Sequence, residues 1–538
     1  MRNVAQVRLY TDVFYSGTTM TTRLLLMGAA LASAVMALDQ VKIDTGTLLG
    51  AANSDRSVDI FRGVPFAAST AGRNRWRPPQ PVQPWSGVRK AVDFGARCVQ
   101  GRVFGDIVFR DQDMSEDCLS VTVWTPAKTT SDKLPVYLWF YGGGFAAGAG
   151  DEARYDGESL AKQGIVVVNA NYRLGVFGFL AHPELTKESE HHASGNYGML
   201  DQVAALEWVR RNIAAFGGDP GKVTIGGESA GSLSVSALMA SPLSREMFQQ
   251  AVGESGAFLG QTGGRGQLTL AEAEKQGVKF ADAVGAKSLA DLRAMPAEEL
   301  LRHAMKQNNG FGFWPIIDSY FLPTDVASIY ARGKQSHVPL LAGWNADEIR
   351  MSVQMSKNKP TAKTFAEQLR KQFGPNSAAA LKAYNATTDE DAVRAAGDLA
   401  SDQFIVYGTW KWIEEQAALG VPVYRYEFDR EVPIPAAMKN TGLKSFGAPH
   451  ASELEYVFNM LDSKPADWQP ADYKVAKTMN AYWANFIRTG DPNGSGLAKW
   501  PDYTKTHEVM HLNVECRAMP EQHRDRYEFL SSIQASSR

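Results

Sequence analysis

The pentapeptide Gly227-Glu228-Ser229-Ala230-Gly231 constrains this chain more than any other stretch. It follows the β-branched run Val223-Thr224-Ile225 and precedes Ser232-Leu233-Ser234-Val235-Ser236-Ala237-Leu238, which predicts a strand, a tight turn and a helix with a serine at the apex. A serine on so sharp a turn holds a strained backbone, and only flanking glycines lack the Cβ atoms that would keep strand and helix apart. This is the pattern of a nucleophile elbow. Five residues alone recur in glycine-rich chains, so the partners of Ser229 have to be found elsewhere in the sequence.

The chain has 538 residues, 44% of them hydrophobic and 21% charged, enough for one large α/β domain or several smaller ones. Formal net charge is −2 and no window gathers basic residues, so no surface for tracking phosphates is expected and nucleic acid is not an expected partner. From Val41 to about Trp124 the text is strand-like pieces broken by Gly and Pro, which predicts hairpins and turns. Leu134 to Phe140 and Ile165 to Ala170 are continuous apolar runs of strand length, the mark of central strands covered on both faces of a parallel sheet. Between Asn196 and Phe216 the spacing of Leu200, Val203, Leu206, Val209 and Ile213 makes one apolar helical stripe, ended by Gly217-Gly218-Asp219-Pro220. Residues 270 to 310 and 362 to 420 read as helical insertions that roof the site. With no repeat and no long flexible linker, the expected architecture is a single α/β domain over 38–538, a large mostly parallel sheet flanked by helices.

Before that domain, Thr21-Thr22-Arg23 leads into apolar Leu24 to Leu31 and then a run of small residues to Ala37. The apolar part is shorter than the ~20 residues a membrane span needs, so residues 1–37 read as a signal peptide with cleavage after Ala34 or Ala37 and a secreted or periplasmic product. Met20 offers an alternative start, because residues 1–19 are polar and mixed, unlike an ordinary n-region. Of the three cysteines, Cys98 and Cys118 are close enough to close a short loop in an oxidising compartment, a bond worth about 3 kcal/mol on the chain-entropy account. Cys516 is left over. His507-Glu508-Val509-Met510-His511 spells a zinc motif, but its flanks read as a short strand pair without a third ligand, so no metal is expected there.

A serine hydroxyl attacking an ester carbonyl must lose its proton as it bonds, which calls for a positioned base with a pKa near 7, itself held by a carboxylate. Chains that carry this elbow supply serine, acid and histidine in that order. Six histidines follow Ser229, and His450 stands apart: it lies in the loop Ser445-Phe446-Gly447-Ala448-Pro449-His450, just before the amphipathic Glu453 to Phe458. For the acid, a strand from Val338 to Gly343 runs into Trp344-Asn345-Ala346-Asp347-Glu348, and local spacing does not separate Asp347 from Glu348. The negative oxygen formed by attack needs preorganised donors. Tyr141-Gly142-Gly143-Gly144-Phe145 follows the strand 134–140, where successive glycines turn N–H groups into one concavity, and Ala230 N–H adds another. Phe145, Phe258, Phe311 and Trp314 suggest an apolar mouth suited to uncharged, partly hydrophobic esters.

Together these residues resemble the type-B carboxylesterases and cholinesterases of the α/β-hydrolase superfamily over nearly the whole mature chain. The matching stretches are Phe61 to Ala67, Ser115 to Trp124, Tyr141 to Phe145, Asn171 to Gly175, Asn196 to Gln202, the elbow, and Thr489-Gly490-Asp491-Pro492-Asn493. The resemblance implies the α/β-hydrolase fold, a triad of Ser229, Glu348 and His450, an oxyanion hole of Gly143, Gly144 and Ala230, and a bond between Cys98 and Cys118. It also implies supporting roles for Ser255 beside the acid and Glu228 beside the nucleophile, an acyl-side wall at Phe311, and no cofactor. Glu348 is followed by Ile349, where such enzymes usually carry glycine. Cholinesterases bind the choline cation on a tryptophan inside the first disulfide loop. Residues 99–117 hold Phe104 and Phe109 instead. Adhesion homologues lack the serine, whereas all three triad positions are filled here. An acyltransferase or a lipase would use the same triad.

Overall fold

The computed structural model describes residues 38–111, 113–261, 265–443 and 445–536, so the expected signal peptide lies outside the described residues. Eleven strands form the main sheet: β1 (Ala51–Ala52), β2 (Asp59–Pro65), β3 (Ser120–Thr125), β4 (Leu134–Phe140), β5 (Val166–Ala170), β6 (Gly218–Glu228), β7 (Gln250–Glu254), β8 (Leu340–Asn345), β9 (Val423–Phe428), β10 (Glu508–Leu512) and β11 (Arg517–Pro520). Their spatial order is β11-β10-β9-β8-β7-β6-β4-β5-β3-β2-β1. Every pairing from β5 across to β10 is parallel, and the pairings at both edges are antiparallel. The central runs are buried as their continuous apolar text predicts: β5 is buried at every position and β4 from Val136 onward.

Two helices pin the middle of the sheet. Helix α1 (Tyr197–Asn212) presents the predicted stripe, with Val203, Leu206 and Val209 buried, and Gly217 takes the left-handed φ of 75° that ends the turn following it. The sequence reading placed Gly218 to Pro220 in that terminator. The strand instead begins at Gly218, paired with Leu134, and slips register before Val223. Helix α2 (Ala230–Ala240) is buried along its whole length. It tolerates three serines there because Ser232, Ser234 and Ser236 hydroxyls donate to the carbonyls of Gly256, Ala230 and Leu233.

The segments read as insertions are helical at Leu270–Val284, Leu289–Ala294, Ala297–Asn308, Ala362–Phe373, Ser377–Ala383, Asp389–Ser401 and Tyr407–Ala417. The chain order reverses where β6 pairs with β4, so the loops after these two strands leave the sheet side by side, Gly227 opposite Phe140. Crevices open at such switch points. Cys98 is bonded to Cys118, and a two-residue ladder pairs Arg97 and Cys98 with Met114 and Ser115 at the neck of that loop. No helix among the described residues is long and apolar enough to cross a membrane.

Candidate active site

Ser229 sits at the turn between β6 and α2 with φ 54° and ψ −119°, a backbone that a side-chain-bearing residue adopts only under constraint. The constraint is visible. Ser229 N–H donates to Glu254 O of the neighbouring strand at 2.8 Å, and Ser229 O accepts from Leu233 N–H at 2.9 Å. The flanking glycines are required by contact: a Cβ on Gly231 would stand 1.9 Å from Phe140 O, and one on Gly227 2.4 Å from Gly231 C.

The structure brings Ser229, His450 and Glu348 together. His450 Nε2 lies 2.9 Å from Ser229 Oγ, and Nδ1 lies 2.6 Å from Glu348 Oε2. A carboxylate can only accept, so Nδ1 carries the proton and Nε2 is left to accept the serine's. Glu348 Oε1 in turn accepts from Ser255 Oγ at 2.6 Å and from Asn345 N–H at 2.9 Å, which fixes the carboxylate in a wholly buried site. Asp347, which the local spacing left level with Glu348, points elsewhere. Its Oδ2 accepts from Ala448 N–H at 2.9 Å, its own N–H donates to Ala448 O at 3.0 Å, and Arg350 binds Oδ1. Ile349 after the acid has φ −119°, a backbone open to any residue, so nothing there calls for glycine.

Glu228 Oε1 is 3.3 Å from His450 Nε2 and otherwise unpaired among the described residues. Burial raises its pKa, with the His450 charge pulling the other way. For His450, burial would lower the pKa, but the carboxylates of Glu228 and Glu348 outweigh it and raise the imidazole above its ordinary range.

Facing the serine, Gly143 and Gly144 hold φ of 104° and 62°, and their N–H groups have no acceptor among the described residues. Ala230, the first residue of α2, offers its N–H at the positive end of a helix. All three border a cavity of about 850 Å³ that also contains Ser229, Glu228 and His450 in its wall. Phe311 and Trp314 line it, Phe311 lying against Gly144, where an added Cβ would come within 2.7 Å of the ring. Phe145 and Phe258 do not. They are buried behind it, stacked on each other at 6.0 Å and set edge-on to Trp314, because the turn of the glycine loop sends Phe145 inward. Phe404, absent from the sequence reading, packs edge-on to the His450 ring at 5.1 Å and lines the cavity. It comes from the π turn Asp402–Val406, a local irregularity with no signal in the residue pattern. The insertions thus contribute to the wall through their connections, and the loops 104–108, 152–154, 432–435 and 463–468 supply much of the rest. Within the disulfide loop Phe104 lines the cavity, while Phe109 covers the Arg97 guanidinium at 4.8 Å.

The His507–His511 stretch forms a turn end followed by strand β10, as its flanks predict, and His511 Nδ1 is 3.1 Å from Asp429 Oδ2. Cys516 is half-buried and unbonded to another cysteine, its Sγ donating to Asn513 O at 3.4 Å.

The carboxylesterase family model matches residues 37–530. The chain belongs to the carboxylesterase family. It is an enzyme of ester hydrolysis, with the α/β-hydrolase fold. This carboxylesterase is 35% identical over 496 residues to the fumonisin B1 esterase of Sphingopyxis macrogoltabida, covering 90% of this chain and 89% of that one. It is 33% identical over 504 residues to carboxylesterase 1D of Rattus norvegicus, covering 86% of each. Among solved structures, the Geobacillus stearothermophilus carboxylesterase at pH 6.2 superposes with a TM-score of 0.79 at 32% identity, over 91% of this chain and 100% of that one.

Proposed function

We propose that this carboxylesterase is exported through its N-terminal segment and cleaves uncharged, partly hydrophobic esters through an acyl-enzyme on Ser229. As Ser229 Oγ attacks the carbonyl carbon, His450 Nε2 takes its proton, and Glu348 holds the imidazolium by the Nδ1 bond. The carbonyl oxygen becomes an oxyanion that Gly143, Gly144 and Ala230 N–H groups meet; losing one such donor costs about 3 kcal/mol of barrier. When the tetrahedral intermediate collapses, the C–O bond to the alcohol breaks and His450 returns the proton to the leaving oxygen. Water then repeats the sequence on the acyl-enzyme, releasing the acid and restoring Ser229.

What carries this reading is one line of atoms, Ser229 Oγ to His450 Nε2 at 2.9 Å and Nδ1 to Glu348 Oε2 at 2.6 Å, opening on a cavity large enough for a substrate. Preference for apolar acyl groups is supported by Leu233, Phe311, Trp314, Phe404 and Ile405 in the wall. Export is supported by the Cys98–Cys118 bond, which oxidising compartments sustain, and by the family match beginning at residue 37, where the apolar segment has ended.

The test is a series of p-nitrophenyl esters of rising acyl length, with and without a competing alcohol. The wild type is expected to release acid and alcohol with a burst, and Ser229→Ala to lose at least about 10³-fold in kcat/KM. Retained turnover in that variant overturns the assignment of the nucleophile, and ester formation with the added alcohol in preference to hydrolysis makes the enzyme an acyltransferase.

A further inference from the structure

Beside its aromatic wall, the cavity holds a set of charged side chains for which the triad has no use. Arg154 Nη1 donates to Asp106 Oδ2 at 3.0 Å and its Nε lies 2.8 Å from Glu152 Oε2, while Lys464 Nζ lies 3.4 Å from Glu455 Oε1. All five residues line the cavity, as does Ser463. The Glu152 and Glu455 side chains are 2% and 3% exposed. Glu455 Oε2 and Ser463 Oγ are buried with no hydrogen-bond partner among the described residues. Both residues line the cavity, and an unpaired buried polar atom is costly.

Their place relative to the chemistry follows from the proton path. His450 Nε2 delivers its proton to the departing alcohol, Glu228 Oε1 stands 3.3 Å from that nitrogen, and Glu228 lines the cavity together with Asp106, Arg154 and Glu455. The turn Ala153–Tyr155, which carries Arg154, packs against Leu454–Val457, which carries Glu455, and against Leu461–Ser463, so the set is continuous. Phe311, edge to face with Phe104 at 5.7 Å, lies against Gly144 of the oxyanion loop. The charged set thus shares its cavity with the nitrogen that would protonate the leaving alcohol.

We propose that Asp106, Glu152, Arg154, Glu455, Ser463 and Lys464 form a subsite for hydroxyl groups on the alcohol half of the ester. This rests on the mechanism proposed above and narrows its substrate class: an apolar acyl group on a hydroxylated alcohol. The mixture of signs makes the selection. Each acid is already paired with a cation of the set, so an ion of either sign would compete with those pairs, whereas a hydroxyl both donates, to Glu455 or Ser463, and accepts, from either cation.

The test uses butanoate esters of four alcohols with the full-length enzyme: n-butanol, glycerol, 2-aminoethanol and p-nitrophenol, the last giving the count of active sites from its burst. Per active site, kcat/KM for the glyceryl ester is expected to exceed that for the butyl ester about ten-fold or more, as in sites built to hydrogen-bond a substrate hydroxyl. In Glu455→Gln, and separately in Ser463→Ala, that ratio falls toward one. A wild-type ratio near one, a ratio untouched by both variants, or a preference for the aminoethyl ester overturns the subsite while leaving the triad standing. Absence of any burst overturns both.

Discussion

His450 Nε2 faces two oxygens, Ser229 Oγ at 2.9 Å and Glu228 Oε1 at 3.3 Å, and the second of these sets how tightly the imidazole holds its proton. The base works only when neutral, so activity rises with pH as that proton leaves. Each carboxylate beside the ring raises the pH at which it does. Glu228→Gln removes one negative charge and keeps the shape. The acidic limb of kcat/KM is therefore expected to move to lower pH, by about one unit; a pH profile with an unmoved or raised limb would contradict this. At this scale the sequence was legible where one residue type sat in a distinctive context. Ser229 between glycines and His450 in a loop before an amphipathic stretch both stand where they were expected. Local spacing could not tell Asp347 from Glu348, because adjacent side chains after a strand leave in different directions; the resemblance pointed to Glu348, and the packing shows that it is the one that meets the imidazole.

The acid and histidine loops are laced together as a short ladder. Asp347 exchanges two hydrogen bonds with Ala448, His450 N–H donates to Glu348 O at 2.9 Å, and Asn345 Nδ2 donates to Pro449 O at 2.8 Å. Gly447, at φ 68°, leaves room for the Asp347 carboxylate, which a Cβ would approach to 2.4 Å. Asp347 is thus a positioning residue. Asp347→Ala is expected to lower kcat about ten-fold with KM little changed, and Asp347→Asn, which still accepts from Ala448 N–H, to recover most of it. Equal loss in both variants, or a change confined to KM, would count against the ladder. Element type was readable from periodicity for the central strands and the helix before the elbow, but ends were not: β8 runs from Leu340 to Asn345, two residues later than its apolar text suggests. Strand ends are decided by neighbours, here β7 and β9 on either side.

For the molecule as a whole, the Cys98–Cys118 bond closes a loop whose residues 104–108 form part of the cavity wall, so the compartment in which the chain oxidises bears on the site itself. If residues up to Ala34 or Ala37 are removed on export, the mature chain begins at Val35 or Leu38. Intact-mass measurement of the protein expressed from its full sequence, before and after reduction, checks both points: one of those two N-termini, and a gain of two hydrogens on reduction. A product retaining Met20, or no mass change, would refute the corresponding half.

Taken by itself, the order of residues determined the parallel sheet and the elbow, and pointed to Ser229 and His450 as the proposed nucleophile and base, because each depends on local conformational preference and on periodic burial. Only the tertiary structure showed Glu348 in contact with the histidine and Asp347 turned away, Phe145 and Phe258 supporting the cavity from behind, and Phe404 and the charged set around Arg154 lining it. These depend on which distant segments meet at the strand ends, and that is set by the order of strands in the sheet and the packing of the insertions, which no local pattern of residues encodes.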